Sequence, residues 1–360
     1  MPLTSPWRAD FPALAILESQ GQTYLDSAAT SQKPQALIDA LTGYYTCGTA
    51  NVHRAQHQPA ERATRAFEDS RIKVARWLNA ACPTEIVFTR GATEALNLLA
   101  YGLEHLTTAG DEIVVSALEH HANLLPWQRV CRERGAELRV IELREDGSLD
   151  WQAAEELFDR RTRLIALGQI SNVLGIENPV QALCARAAEE AIPVLVDAAQ
   201  SVAHSRVDVT DLDCDFLAFS AHKMYGPTGI GVLYGKEVLL EAMPPWQGGG
   251  EMIRTVSFEN GTLFADLPHK FEAGTPPIAE VIGLGKAIDV IPGMRQDLLL
   301  HAGPPISWDR ASGPMRGAIT GALIFEGKAK DMAEAQAIVE SGQIELEPCH
   351  HHQTVGPMAG

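Results

Sequence analysis

Between residues 85 and 235 the chain repeats one pattern, an apolar run of strand length followed by a stretch of helical periodicity. The runs are EIVFT (85–89), DEIVVSAL (111–118), ELRVIEL (137–143), TRLIALGQI (162–170), IPVLVDAA (192–199), DFLAFSA (215–221) and IGVLYG (230–235). Helix-like segments such as ATEALNLLAYGLEHL, NLLPWQRVCRERG, WQAAEELFD and VQALCARAAEEA lie between them. A strand that is apolar on both faces must be covered on both faces. Alternation with amphipathic helices therefore predicts an α/β fold with a mainly parallel, seven-stranded sheet and helices on each side. In such sheets ligands gather at the carboxyl ends of the strands.

Composition narrows the function classes. The chain has 360 residues, 46% of them hydrophobic, enough for a large core. With 46 acidic against 29 basic residues its formal charge is −17, which argues against a nucleic-acid or anionic-membrane binder. No apolar run reaches membrane-spanning length. The N-terminus, MPLTSPWRADFPAL, lacks the basic start and apolar core of a secretory signal. Six cysteines (Cys47, Cys82, Cys131, Cys184, Cys214 and Cys349) are scattered without CxxC spacing. These features fit a cytoplasmic enzyme with reduced thiols.

Polar residues fall where the strands should end. Asp197 follows IPVLV, with Gln200 three residues on. Ser220, His222 and Lys223 follow DFLAF, His120 follows DEIVVSALE, and Ala92 and Thr93 open a helix after EIVFTRG. If these strands are neighbours, the residues converge on one crevice whose chemistry suits pyridoxal 5'-phosphate. A lysine amine can capture its aldehyde. A carboxylate keeps its ring nitrogen protonated, an imidazole can stack on the ring, and a helix N-terminus can hold its phosphate. Taken singly, each residue has a plainer reading. Lys223 can be a solvated surface lysine, and Asp197 can cap the next helix. His120 and His121 can be rim histidines, and Ala92–Thr93 a plain helix start. No metal site is expected at these strand ends.

The segments YLDSAAT, NVHRAQH, RGATEALNL, EHHANLLPWQ, QISNVLGIENP, VLVDAAQSV, DCDFLAFSAHKMYGPTGIGVLYG, PPWQGGGEMI and FEAGTP occur in order. Over about residues 6–293 they resemble the group II cysteine desulfurases, fold type I pyridoxal-phosphate enzymes of the class V aminotransferase-like group. The resemblance implies that Lys223 bonds the cofactor, Asp197 pairs with the pyridinium nitrogen and His120 stacks over the ring. Gln200 would bond the ring hydroxyl, and Asn172 would face the substrate or ring edge. Ala92 and Thr93, with Ser220 and His222, would hold the phosphate. Thr275 would reach the partner subunit's phosphate, so a homodimer is implied. Ala92 stands where threonine is more usual, which removes one hydroxyl from the phosphate cradle.

The resemblance further implies conversion of L-cysteine to L-alanine, with persulfide sulfur passed to an acceptor protein for iron–sulfur cluster assembly. That chemistry needs a cysteine in a C-terminal small domain, in a motif like Arg-x-Gly-His-His-Cys-Ala-x-Pro, and a later arginine for the substrate carboxylate. Residues 294–360 carry neither pattern. IGLGKAIDVIPGM reads as a helix ending at Pro292–Gly293, and a boundary falls near 294. Beyond it a Gly/Pro-rich tail, with a helix expected at 317–340, resembles proteins of poorly defined function encoded among oxamate and allantoin degradation enzymes. The chain thus reads as a 1–293 cofactor-binding domain joined to a foreign 294–360 segment, with the normal small domain missing. In that segment Cys349 precedes three histidines, an order reversed from the family motif. Impaired desulfurase activity is therefore expected. The alternatives are a selenocysteine lyase acting on L-selenocysteine, another class V lyase or transaminase, or an inactive chimera that serves as a dimer partner.

Overall fold

The computed structural model describes residues 7–54 and 56–301, with side chains described through Pro292. The tail helix expected at 317–340, and Cys349, lie outside the described residues. Seven strands form the main sheet: β1 (Ile86–Thr89), β2 (Glu112–Ser116), β3 (Glu137–Ile141), β4 (Thr162–Gly168), β5 (Val194–Asp197), β6 (Phe216–Ser220) and β7 (Gly231–Gly235). Each lies within or upon one of the seven apolar runs. Their order is β1-β7-β6-β5-β4-β2-β3.

The sheet is mixed rather than wholly parallel, because β7 pairs antiparallel with both β6 and β1. The cause lies in the connection. A parallel return needs a crossover long enough to hold a helix, and Ala221–Ile230 contains only a 3₁₀ turn at Ala221–Lys223. With β7 alone reversed, β1 to β6 share one direction, and their carboxyl ends share one edge.

Among the described residues, eleven α-helices surround the sheet. In order they are α1 (Pro12–Ser19), α2 (Gln35–Thr46), α3 (Gln58–Leu78), α4 (Ala92–Leu103), α5 (Leu125–Arg134), α6 (Trp151–Glu155), α7 (Val180–Glu189), α8 (Ser201–His204), α9 (Val209–Leu212), α10 (Glu237–Ala242) and α11 (Ile278–His301). Strand alternation divides the core in two. Phe88, Val114, Ile165, Val196, Leu217 and Val232 face one layer, with Phe67 and Val74 of α3, Leu183 of α7 and Leu284 of α11. Val87, Val115, Ala166, Leu195, Ala218 and Leu233 face the other, with Leu96 and Leu99 of α4 and Trp127 of α5.

Helix α3 shows how local sequence sets this packing. Its buried residues, Ala60, Ala63, Phe67, Ser70, Arg71, Val74, Ala75 and Leu78, recur at helical spacing and form one stripe. The His57 side chain caps its first turn, and Asn79, with φ +55°, ends it in the left-handed conformation. Helix α11 departs from expectation. It does not stop at Pro292–Gly293 but runs through Pro292 to His301. Proline within a helix costs one backbone hydrogen bond. Packing offsets that loss, since Ile288 and Ile291 are buried and the helix lies against α2 and α3. An antiparallel hairpin, β8 (Ile253–Ser257) with β9 (Gly261–Phe264), was not foreseen. Its residues are half-buried or exposed, so no strong apolar alternation marks it.

A buried guanidinium ties three of these parts together. Arg71 donates to Glu272 Oε1 at 2.7 Å and Oε2 at 2.9 Å, and to the Ile86 carbonyl at 2.8 Å. Glu272 also accepts the Phe88 N–H at 2.7 Å. Helix α3, strand β1 and the loop before α11 are thus cross-braced by one ion pair. Glu68, which is partly exposed, also bridges Arg71 at 2.9 Å, so removing Glu272 leaves the buried guanidinium with its outer partner alone. Glu272→Ala is expected to lower the unfolding free energy by about 3–5 kcal/mol, read from urea denaturation. A loss below about 1 kcal/mol would mean that the pair behaves as a surface bridge.

Candidate functional site

The shared strand edge gathers most of the residues singled out in the sequence. Asp197 is the last residue of β5, and its neighbour in register is Gly168, the last of β4. Ser220 ends β6, and His222 and Lys223 lie in the 3₁₀ turn that follows. Ala92 and Thr93 open α4 just past β1. His120 follows β2 and caps the turn His121–Asn123, its Nδ1 accepting the Ala122 N–H at 3.1 Å.

Each element is held in place by an identifiable contact. The Ser220 hydroxyl accepts the Ala92 N–H at 2.8 Å, fixing the start of α4 against the end of β6. Gly231 permits that approach, because a Cβ there would overlap Gly91 and the Phe219 carbonyl. Gln200 is buried and donates from Nε2 to the Ala28 carbonyl at 2.8 Å. Asn172 is exposed in the loop after β4. Thr275 is also exposed, on a loop tied to Gly250 through the Gly274 N–H and to Arg71 through Glu272.

Electrostatics mark Asp197 and Lys223 as a coupled pair. Burial pushes the Asp197 carboxyl well above the usual range, opposed by the Ala199 N–H, Lys223 and His120. Its one direct hydrogen bond comes from the Ala199 N–H, at 2.9 Å, and among the described residues no ion pair reaches it. Burial lowers Lys223, and the charges of Asp197 and Asp26 pull the other way. Burial and Lys223 likewise lower His120, so its imidazole favours the neutral form. A buried carboxyl without an ion pair, near a partly desolvated amine, is the donor set that a pyridinium aldehyde complements.

Three contributors escaped sequence reasoning. Glu119 accepts from Ser116 Oγ at 2.5 Å, Asn123 Nδ2 at 2.6 Å and the Gly168 N–H at 3.0 Å. It thereby ties the end of β2 to the end of β4, one residue before His120. Asp26 faces Lys223 electrostatically from a loop almost two hundred residues upstream. Lys33, in the same loop, donates to the His222 carbonyl at 2.8 Å. The signal for Glu119 was its place in EHHAN beside a strand end. For Asp26 and Lys33 nothing local points to the site.

Comparison with known proteins fits this geometry. The sequence profile of the family described as aminotransferase class-V matches residues 23–298. This chain belongs to that family. A probable cysteine desulfurase of Pseudomonas putida is 58% identical over 287 residues, covering 80% of this chain and 71% of that protein. The cysteine desulfurase of Salmonella typhimurium is 52% identical over 293 residues, covering 81% and 72%. Among solved structures, the cysteine desulfurase CsdA of Escherichia coli superposes with a TM-score of 0.74 at 46% identity, covering 80% of this chain and 72% of that one. The apo cysteine desulfurase of Thermococcus onnurineus gives a TM-score of 0.76 at 41% identity, covering 80% and 70%. The class V membership makes the chain a pyridoxal-phosphate family enzyme with the seven-stranded fold of the cysteine desulfurases.

Glu119 supplies a pH signature. Burial, the largest influence, outweighs its three hydrogen-bond donors and raises its carboxyl from 4.5 to about 7, with Asp197 adding in the same direction. The folded state then holds a proton that the unfolded chain has released. The stabilisation is complete below about 4.5 and is lost as pH rises to about 7. Glu119→Gln is expected to flatten the stability profile across that window in urea unfolding. An unchanged slope would show that Glu119 is ionised throughout.

Proposed function

We propose that this chain binds pyridoxal 5'-phosphate at the strand edge and acts on L-cysteine as a desulfurase of reduced turnover. The observation carrying this reading is the coupling of a buried, cation-free Asp197 to a partly desolvated Lys223 at the ends of adjacent strands. Lys223 would bond the cofactor aldehyde, and Asp197 would take the pyridinium N–H. His120 would lie over the ring, and Gln200 would turn from the Ala28 carbonyl to the ring hydroxyl. The first turn of α4, at Ala92 and Thr93, would hold the phosphate with Ser220 and His222. Asn172 would face the substrate or ring edge. In a homodimer, the partner subunit's Thr275 would complete the phosphate site.

When bound, the cofactor supplies an electron sink for charge developing on the substrate's α-carbon. The chain's own residues do the rest. Asp197 would hold the ring nitrogen's proton, which would keep the sink strong. Lys223, its neutral amine favoured by burial, would move protons at the substrate carbon. His120, favouring the neutral form, can stack without adding a competing positive charge.

Sulfur transfer needs a thiolate within reach of the substrate sulfur. Cys131 and Cys184 are buried, with thiols pushed up to about 11 and about 12, and burial drives Cys214 higher still. Cys82 sits beside Thr84 before β1, and Cys47 lies at the end of α2. None of these five is at the strand edge with Lys223, and the family's cysteine motif does not occur in residues 294–360. The reading is therefore slow desulfuration. The same lack of a placed thiol favours L-selenocysteine as a second substrate, since selenium leaves more readily. An external sulfur-acceptor protein would take what sulfur is released.

Two measurements test this. Borohydride reduction after incubation with pyridoxal phosphate is expected to label Lys223, and Lys223→Ala to abolish the label and the visible cofactor band. Labelling elsewhere would overturn the site. Alanine release from L-cysteine with a reductant is expected at least about a hundredfold below that of full-length relatives, the scale of losing one participant in the transition state. A rate equal to theirs would refute the impairment.

A further inference from the structure

The carbonyl oxygen of His222 receives four donors from one loop. Lys33 Nζ lies at 2.8 Å, Ser31 Oγ at 3.0 Å, the Ser31 N–H at 3.0 Å and Thr30 Oγ1 at 3.1 Å. A carbonyl oxygen has two lone pairs. The Ser31 N–H and one hydroxyl would already satisfy it, so the ammonium is not needed to meet a hydrogen-bond deficit. It is also costly to place there, because burial lowers Lys33 from 10.5 to about 8. The loop is braced on both sides of this contact. Gln200 donates to Ala28, Tyr24 Oη donates to the Thr30 carbonyl at 2.6 Å, and Ser31 Oγ accepts the Tyr225 N–H at 2.7 Å. The Ser31 contacts thus straddle the turn, gripping the carbonyl before Lys223 and an N–H after it.

The gripped peptide plane is the one that joins His222 to Lys223. A lysine side chain has four rotatable bonds, and its reach is only as well defined as the Cα–Cβ direction from which it starts. The turn around Lys223 is a 3₁₀ turn of three residues, with little helical support of its own. We propose that Lys33 is a positioning residue for Lys223: its ammonium group, held on the His222 carbonyl, locks the 222–223 peptide so that the Lys223 amine is aimed at the cofactor aldehyde. This inference rests on the reading of Lys223 as the cofactor-bonding residue. The charged and titratable groups around the gripped peptide are His222, which Lys33 and Lys223 both lower, and Asp26, Asp197 and His120, which act on or with Lys223.

The test follows the rate at which full-chain protein captures added pyridoxal phosphate, trapped with borohydride and mapped by peptide mass. The variants are Lys33→Met and Lys33→Arg, with circular dichroism and thermal melting to confirm folding. Near neutral pH, Lys33→Met is expected to label Lys223 about tenfold more slowly, the loss of a charge-assisted bond shared with other donors. Lys33→Arg, which keeps the charge, is expected to stay within about twofold. Above about 8, where Lys33 itself loses its charge, the ratio of the arginine variant to the parent is expected to rise. Capture by Lys33→Met at the parent rate, or by Lys33→Arg as slow as by Lys33→Met, overturns the proposal. Should Lys33→Met fail to fold, a ratio of arginine variant to parent that stays flat through about 8 overturns it instead. If the parent itself fails to label Lys223, the cofactor reading falls first, an outcome distinct from rapid parent labelling with an indifferent Lys33.

Discussion

A carboxyl group buried at the end of β5, with no ion pair among the described residues, sets the terms for the rest of the site. Asp197 is 8% exposed, and its own backbone surroundings offer it one N–H. An uncompensated buried anion is expensive, and proteins keep one where a ligand's positive charge will complete it. The strand edge is arranged around that deficit. Lys223 approaches from the next strand, His120 from the end of β2, and α4 presents its N-terminus beyond Ser220. The sheet topology makes this convergence possible, because reversing β7 alone leaves the six other carboxyl ends on one side.

A second layer of polar contacts holds the first. Glu119 links β2 to β4 beneath His120. The Arg71–Glu272 pair fixes the backbone of β1, whose far end leads into the first turn of α4. The loop 26–33 closes over the peptide preceding Lys223. All three use charged groups inside or at the margin of the core, where a hydrogen bond is geometrically exacting and its loss is costly. They give the strand edge defined donor and acceptor directions.

Much of this was legible in the sequence. All seven strands sit on the apolar runs; six are buried along most of their length, because a strand covered on both faces must be apolar, while the edge strand β3 is only partly buried. The strand-end residues Asp197, Ser220, His222, Lys223, His120, Ala92 and Thr93 were found because position after a strand is also a local property. The mainly parallel character was legible too, and the single reversed strand, β7, follows from the short Ala221–Ile230 connection. The hairpin β8–β9 escaped because its residues are too exposed to show alternation. The end of α11 was misplaced because proline was weighed as a helix breaker without the packing that compensates it.

The chain order of polar and apolar residues thus determined the layered architecture and which side chains stand at the strand ends. Those follow from periodicities of two and 3.6 residues, which any short window displays. Tertiary structure alone decided what those side chains meet. Lys33 reaches His222 across 189 positions, and Arg71 reaches Glu272 across 201. Nothing within a window of either residue encodes its partner. The desolvation that raises Asp197 and lowers Lys223 likewise arises only when distant segments exclude water from the same small volume.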